Sequence, residues 1–251
     1  MELLYLYALT GDEDAQLDFI RFIVTETDMP LPDVAVRWLT ALAEKGNDQA
    51  RRCYFSWALA GGAESPDWLK LEQWALGMVD ATPGEAHAVL GMMYEPLLPG
   101  FSDGKVAAEH YRKAIEAGNV GCGLYLARVY LRQEGEAEID YREIRALLEL
   151  AEPVNPCGQL YAMLSSCCDQ LGDAAAAMKY LKKLQKLAPD DAQCCLALAR
   201  NYAMGCGTRL DYELALRCYQ KAANLGDSYG GHGRINVLRR LWCAPQLQAC
   251  G

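Results

Sequence analysis

Two stretches of this chain nearly repeat each other: CCLALARNYAMGCGTRLDYELALRCYQKAANLG at 194–226 and AHAVLGMMYEPLLPGFSDGKVAAEHYRKAIEAG at 86–118. Both have the same length, and both place a tyrosine eight residues after the first position. In their second halves, a tyrosine, an alanine and a glycine also fall at equivalent positions. A recurring unit of this length is the signature of a repeat architecture, in which each unit buries its apolar face only by stacking on its neighbours.

The period extends beyond these two stretches. Intervals of 36, 36, 38, 34 and 36 residues separate the residues that open successive units, which are Ala50, Ala86, Cys122, Leu160, Cys194 and Gly230. A unit of this size is long enough for a pair of helices joined by short turns. The sequence therefore predicts an array of helix pairs along most of the chain.

Helical periodicity within the units supports this interpretation. Residues 86, 90 and 94 lie on one stripe of a helix, and Gly46, Gly118 and Gly226 fall where the second helices end, a position that favours a positive φ. Periodicity and the glycine and proline pattern predict fourteen helices and no strand. The last helix is expected near 229–242, before Pro245, because proline disrupts a helix interior.

These residues resemble the Sel-one-like repeat (SLR) family, which is related to the tetratricopeptide repeats (TPR). Residues 192–230 carry the pattern most fully, residues 84–121 carry it nearly as well, and 158–191 resemble a TPR unit. The resemblance implies an all-α fold, a right-handed α-solenoid of stacked antiparallel helix pairs. We expect a single repeat domain over 1–251, with divergent repeats and a cap over 1–83, recognisable SLR/TPR repeats over 84–227, and a capping helix and tail over 228–251.

Composition and charge narrow the possible functions. The chain has a net charge of −9, a pI near 4.9 and a mean hydropathy of −0.08, and it has no apolar run near 18 residues. The acidity is concentrated in residues 1–125, which carry −10, whereas 126–251 carry +1. We therefore expect no membrane insertion and no nucleic-acid binding, which requires clustered cations.

No residue pattern indicates catalysis, a metal site or a cofactor. The three histidines lack a carboxylate or cysteine at the spacing of a known signature, and the cysteines include adjacent pairs instead of C-x2-C motifs. Eleven cysteines at irregular repeat positions favour reduced thiols and a cytoplasmic protein. Disulfides in a periplasmic protein, with an export signal already removed, stay the alternative.

In SLR arrays the first helix of each pair lines the concave surface, so the resemblance implies which residues face a partner. The positions equivalent to 85, 88, 92 and 95 should line this surface. A partner with acidic groups could pair with the arginines among them, although ordinary surface arginines would fit equally well. The predicted partner-binding residues are Arg52, Met92, Leu124, Arg128, Arg132, Gln159, Gln193, Leu196, Arg200 and Arg239.

The predicted function is a non-enzymatic protein–protein interaction module, an adaptor or scaffold that binds a protein or peptide on the concave face. The first alternative, implied by the family, is a bacterial immunity protein that sequesters a secreted toxin. The second is an enzyme with an unrecognised site in the N-terminal third, around Trp57, Trp68 and Trp74.

Overall fold

The computed structural model describes residues 2–27, 29–59, 61–62, 66–95, 103–132 and 139–248, with side chains up to residue 239 except that of residue 25. These residues form fourteen α-helices and no strand, so the predicted all-α class is confirmed. The chain divides into two compact units, Met1–Asn119 and Val120–Gly251. The predicted single domain and its subdivisions stay predictions.

The first unit contains seven helices: α1 Glu2–Ala8, α2 Glu13–Glu26, α3 Asp33–Glu44, α4 Asp48–Leu59, α5 Trp68–Gly77, α6 Pro83–Tyr94 and α7 Gly104–Glu116. Two apolar clusters form its core. One gathers side chains from α1 to α4 around Ile20, Ile23 and Leu39, and the other joins α4, α5 and α6 around Leu71 and Leu90.

The second unit begins with a 3₁₀ turn, Val120–Cys122, and continues with α8 Gly123–Arg132, α9 Tyr141–Ala151, α10 Gly158–Gln170, α11 Ala174–Leu187, α12 Ala192–Met204, α13 Tyr212–Asn224 and α14 Ser228–Gln248. Its main cluster spans α8 to α12 and includes Leu148, Leu160 and Leu198. A second cluster joins α12, α13 and α14 through Tyr219 and Val237. Sequential helices thus pack as antiparallel pairs.

The second helices begin at a recurring aspartate. The carboxylates of Asp67, Asp103, Asp140, Asp173 and Asp211 accept backbone N–H groups in the first turns of α5, α7, α9, α11 and α13. Each satisfies donors that a helix start leaves without a partner. At the ends of α3, α7 and α13, the predicted glycines 46, 118 and 226 have φ of 91°, 95° and 92°.

Two helices can approach their neighbours closely only because they have a glycine, which lacks a side chain, at the point of contact. A Cβ at Gly91 of α6 would lie 2.6 Å from the Tyr111 ring on α7, and one at Gly123 of α8 would lie 2.4 Å from the Leu147 carbonyl oxygen on α9. At the C-terminus, α14 continues through Pro245 to Gln248. The predicted end near 242 is therefore wrong: the helix includes Pro245, which was expected to lie beyond it. No helix within the described residues is both long and apolar enough to cross a membrane.

Candidate functional site

The first helices of the pairs, α4, α6, α8, α10, α12 and α14, expose a narrower strip than the sequence predicts. Equivalents of positions 85 and 92 are exposed or half-buried, whereas three of the six equivalents of 88 and two of the six equivalents of 95 are buried. α10 and α12 show the reason: each packs on two sides, α10 against α11 and α9, and α12 against α13 and α11. Only the strip between these two contacts is available to another molecule.

This corrects two of the predicted partner-binding residues. Leu124 is 3% exposed within the main cluster of the second unit, and Leu196 is 4% exposed beside Tyr219 and Val237. Both occupy the position equivalent to 88, where an apolar side chain packs on the second buried flank of the helix. Neither can contact a partner in the folded protein.

The exposed strip of α8 carries one aromatic and two cationic side chains. Tyr125, Arg128 and Arg132 lie at i, i+3 and i+7, so they share one face of the helix. The guanidinium carbon of Arg128 lies 5.1 Å from the centre of the Tyr125 ring, which is within range of a cation–π contact. Both side chains are half-buried, and Arg132 is exposed.

On the other first helices of the second unit, the equivalent positions are also exposed. Gln159 of α10 and Gln193 of α12 are exposed, and Gln193 donates a 2.8 Å hydrogen bond to Asp227. Arg200 is exposed on α12, and Met204 next to it in the strip is 57% exposed. On α14, Tyr229 is 65% exposed and Arg239 is exposed.

We give the name A face to nine exposed or half-buried residues of the first helices in the second unit: Tyr125, Arg128, Arg132, Gln159, Gln193, Arg200, Met204, Tyr229 and Arg239. Sequence reasoning missed Tyr125 and Met204. The repeat register could have predicted both. Tyr125 lies four residues after position 121, the equivalent of 85, and Met204 lies four residues after Arg200, so each is on the same strip of its helix.

The other two predicted residues belong to the first unit. Arg52 of α4 is exposed and forms a 2.8 Å ion pair with Glu85 of α6, the next first helix. Met92 of α6 is half-buried. Because its guanidinium is already engaged by a carboxylate, Arg52 is a less accessible contact for an acidic partner than the A-face Arg200.

Titratable groups meet at one place in the first unit. Nδ1 of His87 on α6 lies 3.1 Å from Nδ1 of His110 on α7, and the Tyr94 ring stacks on His110 at 5.8 Å. Tyr94 donates its hydroxyl to Glu72 of α5, and this hydrogen bond raises the pKa of Tyr94 to about 12. Burial lowers the pKa of both imidazoles. At this distance one ring nitrogen can donate a hydrogen bond to the other, which joins α6 to α7.

The tryptophans of the alternative enzyme site have packing roles. Trp57 and Trp74 pack edge-to-face on Tyr54 at 5.5 and 5.6 Å, and they fill the space between α4 and α5. Trp68 packs on the neighbouring core cluster. Among the described residues, no group of three or more His, Cys, Asp or Glu side chains could hold a metal ion.

Comparison with known proteins follows the repeat geometry. Residues 84–119 and 192–227 match the family model of the Sel1 repeat. These two segments of the chain are therefore Sel1 repeats by sequence. In both, the N–H of the capping aspartate, Asp103 or Asp211, donates a 3.0 Å hydrogen bond to the carbonyl of the tyrosine that precedes the loop, Tyr94 or Tyr202. A comparison with curated proteins gives no match.

Two solved structures share the fold. One is c5321, a protective antigen present in uropathogenic Escherichia coli strains that displays an SLR fold, with 17% identity and a TM-score of 0.69. The alignment covers 98% of this chain and 61% of that one. The other is a Sel1 repeat protein from Oxalobacter formigenes, with 20% identity, a TM-score of 0.62 and 86% coverage of each chain. The predicted SLR solenoid class is thus confirmed, and the Sel1-repeat fold commonly mediates protein–protein interaction.

Proposed function

We propose that this Sel1-repeat protein is a non-enzymatic interaction module that binds a protein partner on the A face of its second unit. The observation that carries the proposal is the composition of this face. It presents Tyr125 and Arg128 on α8, Arg200 and Met204 on α12, and Tyr229 on α14. Tyrosine, arginine and methionine are enriched in protein interfaces, and tyrosine and arginine supply most binding hot spots.

The charge of the A face indicates the chemistry of the partner. The charged groups among its nine residues are arginines, while the whole chain carries −9. Guanidinium groups form bidentate pairs with carboxylates. A protein segment with acidic side chains next to an apolar or aromatic one would complement both kinds of group on this surface.

Affinity capture from the native host tests this proposal. The baits are the wild-type chain, Arg128→Glu/Arg200→Glu, and a charge-matched control, Arg112→Glu/Arg142→Glu, whose exposed arginines lie on α7 and α9. We expect mass spectrometry to find a protein that the wild type and the control retain and the A-face variant loses. Equal recovery with all three baits would place the interface elsewhere.

A second A-face variant guards against misfolding, because Arg128 is half-buried and stacked on Tyr125. Arg200→Glu alone changes an exposed side chain. It should leave the circular dichroism spectrum and the melting temperature unchanged and still weaken capture. Unaltered capture by this folded variant would count against the proposal.

The cytoplasm is the compartment we propose. All nine described cysteines are free thiols, and burial raises the pKa of Cys122 and Cys167 to about 11 and that of Cys194 to about 12. Such thiols stay protonated and react slowly with oxidants. Alkylation without reductant, followed by mass spectrometry of the native protein, should find free thiols at these positions. Several native disulfides would instead favour the periplasm.

A further inference from the structure

We propose that the second unit has a separate docking groove on α11 that takes a short acidic segment of a partner protein. Helix α11 reads AAAAMKYLKKLQKL, with four lysines and no acidic residue. Its groove, of about 400 Å³, is lined by Ala175, Met178, Lys179, Lys182, Lys183, Lys186 and Gly207. Because Lys179, Lys183 and Lys186 recur at helical spacing, the lysines form one stripe.

The acids that could neutralise this stripe already have partners. Glu152, the residue just after α9, pairs with Lys183, whose ammonium also lies 5.4 Å from the ring centres of Tyr161 and Tyr180. Glu149 of α9 accepts hydrogen bonds from Arg145 and from the Tyr180 hydroxyl, each at 2.9 Å. Lys183 is therefore held in place. Lys179 lies close enough to Glu149 to help lower the pKa of that carboxyl, whereas Lys182 and Lys186 have no such neighbour in the described residues.

Those three, Lys179, Lys182 and Lys186, are exposed, and none forms an ion pair with another described residue. Lys179 does lie 5.8 Å from the Tyr180 ring centre. In a chain with a net charge of −9, such a group of exposed cations without ion pairs on one helix face attracts negative charge from outside the molecule.

On the side of the groove opposite the lysines, a glycine lets the loop after α12 approach α11 closely. Gly207, in the loop after α12, has a φ of 64°, and a Cβ there would lie 1.9 Å from the Ala174 carbonyl oxygen. The loop thus packs directly on the backbone at the start of α11. No side chain at position 207 can cover the lysines.

The length of the stripe favours a peptide over a larger polyanion. Seven residues separate Lys179 from Lys186, which is about 10 Å along a helix, or three to four residues of extended chain. Acidic side chains stand at both ends of the helix, Asp173 at its start and Asp190 and Asp191 beyond its end. A nucleic acid or an anionic membrane would extend past the lysines and meet these carboxylates.

Fluorescence anisotropy with a labelled peptide of two Glu-Asp repeats, which matches the length of the stripe, tests the groove on the full chain. The groove variant is Lys179→Gln/Lys182→Gln/Lys186→Gln. Its control, Arg37→Gln/Lys105→Gln/Arg112→Gln, removes the same charge from exposed residues of the first unit. We expect the groove variant to bind at least ten-fold more weakly than the wild type, with the control unchanged and with binding that weakens as salt is added.

Several results would overturn the proposal: no peptide binding by the wild type, equal loss in groove variant and control, or loss in Arg200→Glu instead of the groove variant. Tighter binding of a uridine dodecanucleotide, or of vesicles containing phosphatidylserine, would assign the stripe to another ligand. Self-association that the groove variant abolishes, without peptide binding, would assign it to a second copy of the chain. Because Arg200→Glu tests the A face and the lysine variant tests the groove, either proposal can fail alone.

Discussion

At the residue scale, the shared positions of the repeats correspond to packing. Leu198 of α12 is 1% exposed in the main cluster of the second unit. Leu198→Ala should lower the free energy of unfolding by about 2–5 kcal/mol, because it removes buried methyl groups and leaves a cavity. Urea unfolding measures this change.

Met204→Ala is the matched control on the same helix, since Met204 is 57% exposed. It should change stability by less than about 0.5 kcal/mol. Similar losses in the two variants would contradict the repeat register.

The histidine pair makes stability depend on pH. The pKa of His87 and that of His110 are lowered by burial first; Lys113 and, for His110, the facing His87 act in the same direction, whereas Glu109 and, for His110, Glu72 oppose it. The unfolded chain therefore binds protons more readily than the folded one near the ordinary histidine pKa of about 6.5. Stability should be fully present above that pH and should fall as the pH drops through the lowered folded-state values.

Chemical unfolding between pH 5 and pH 8 measures this dependence. His87→Asn/His110→Asn should flatten it, whereas His232→Asn, an exposed histidine on α14, should leave it as in the wild type. An unchanged pH profile in the double variant would show that other groups cause it. The sequence could not predict this pair, because neither histidine belongs to a motif and only the packing of α6 on α7 brings their rings together.

At the element scale, the aspartates that begin the second helices contribute to stability. Asp211 accepts a 2.9 Å hydrogen bond from the backbone N–H of Leu214. Asp211→Ala should reduce the free energy of unfolding by about 1 kcal/mol, and Asp211→Asn should lose much less because it keeps a side-chain oxygen. Equal losses for the two variants in urea unfolding would argue against a capping role.

Most helices could be predicted from the sequence, since apolar periodicity and glycine turns are local signals. The strip of each first helix that is open to a partner could not be predicted in the same way. Leu124 and Leu196 lie opposite the 86/90/94 stripe on a helical wheel, yet they are buried because a first helix in a stacked array has two buried flanks. A wheel with one buried face does not represent that geometry.

At the scale of the whole molecule, the chain combines an acidic first unit with a second unit that carries two cationic surfaces, the A face and the α11 groove. Sequence charge located this asymmetry, at −10 for residues 1–125 and +1 for 126–251. The charge of the sequence does not show that there are two separate surfaces, because the lysines of α11 lie between the arginines of α8 and the arginine of α12 along the chain. Only the packing of the helix pairs assigns them to different places.

The central claim is that the A face binds the partner, and isothermal titration calorimetry with the captured protein tests it most directly. We expect Arg128→Glu/Arg200→Glu to weaken binding at least ten-fold, which is about 1.4 kcal/mol. Arg112→Glu/Arg142→Glu should bind as the wild type does. Unchanged affinity in the folded A-face variant would contradict the account.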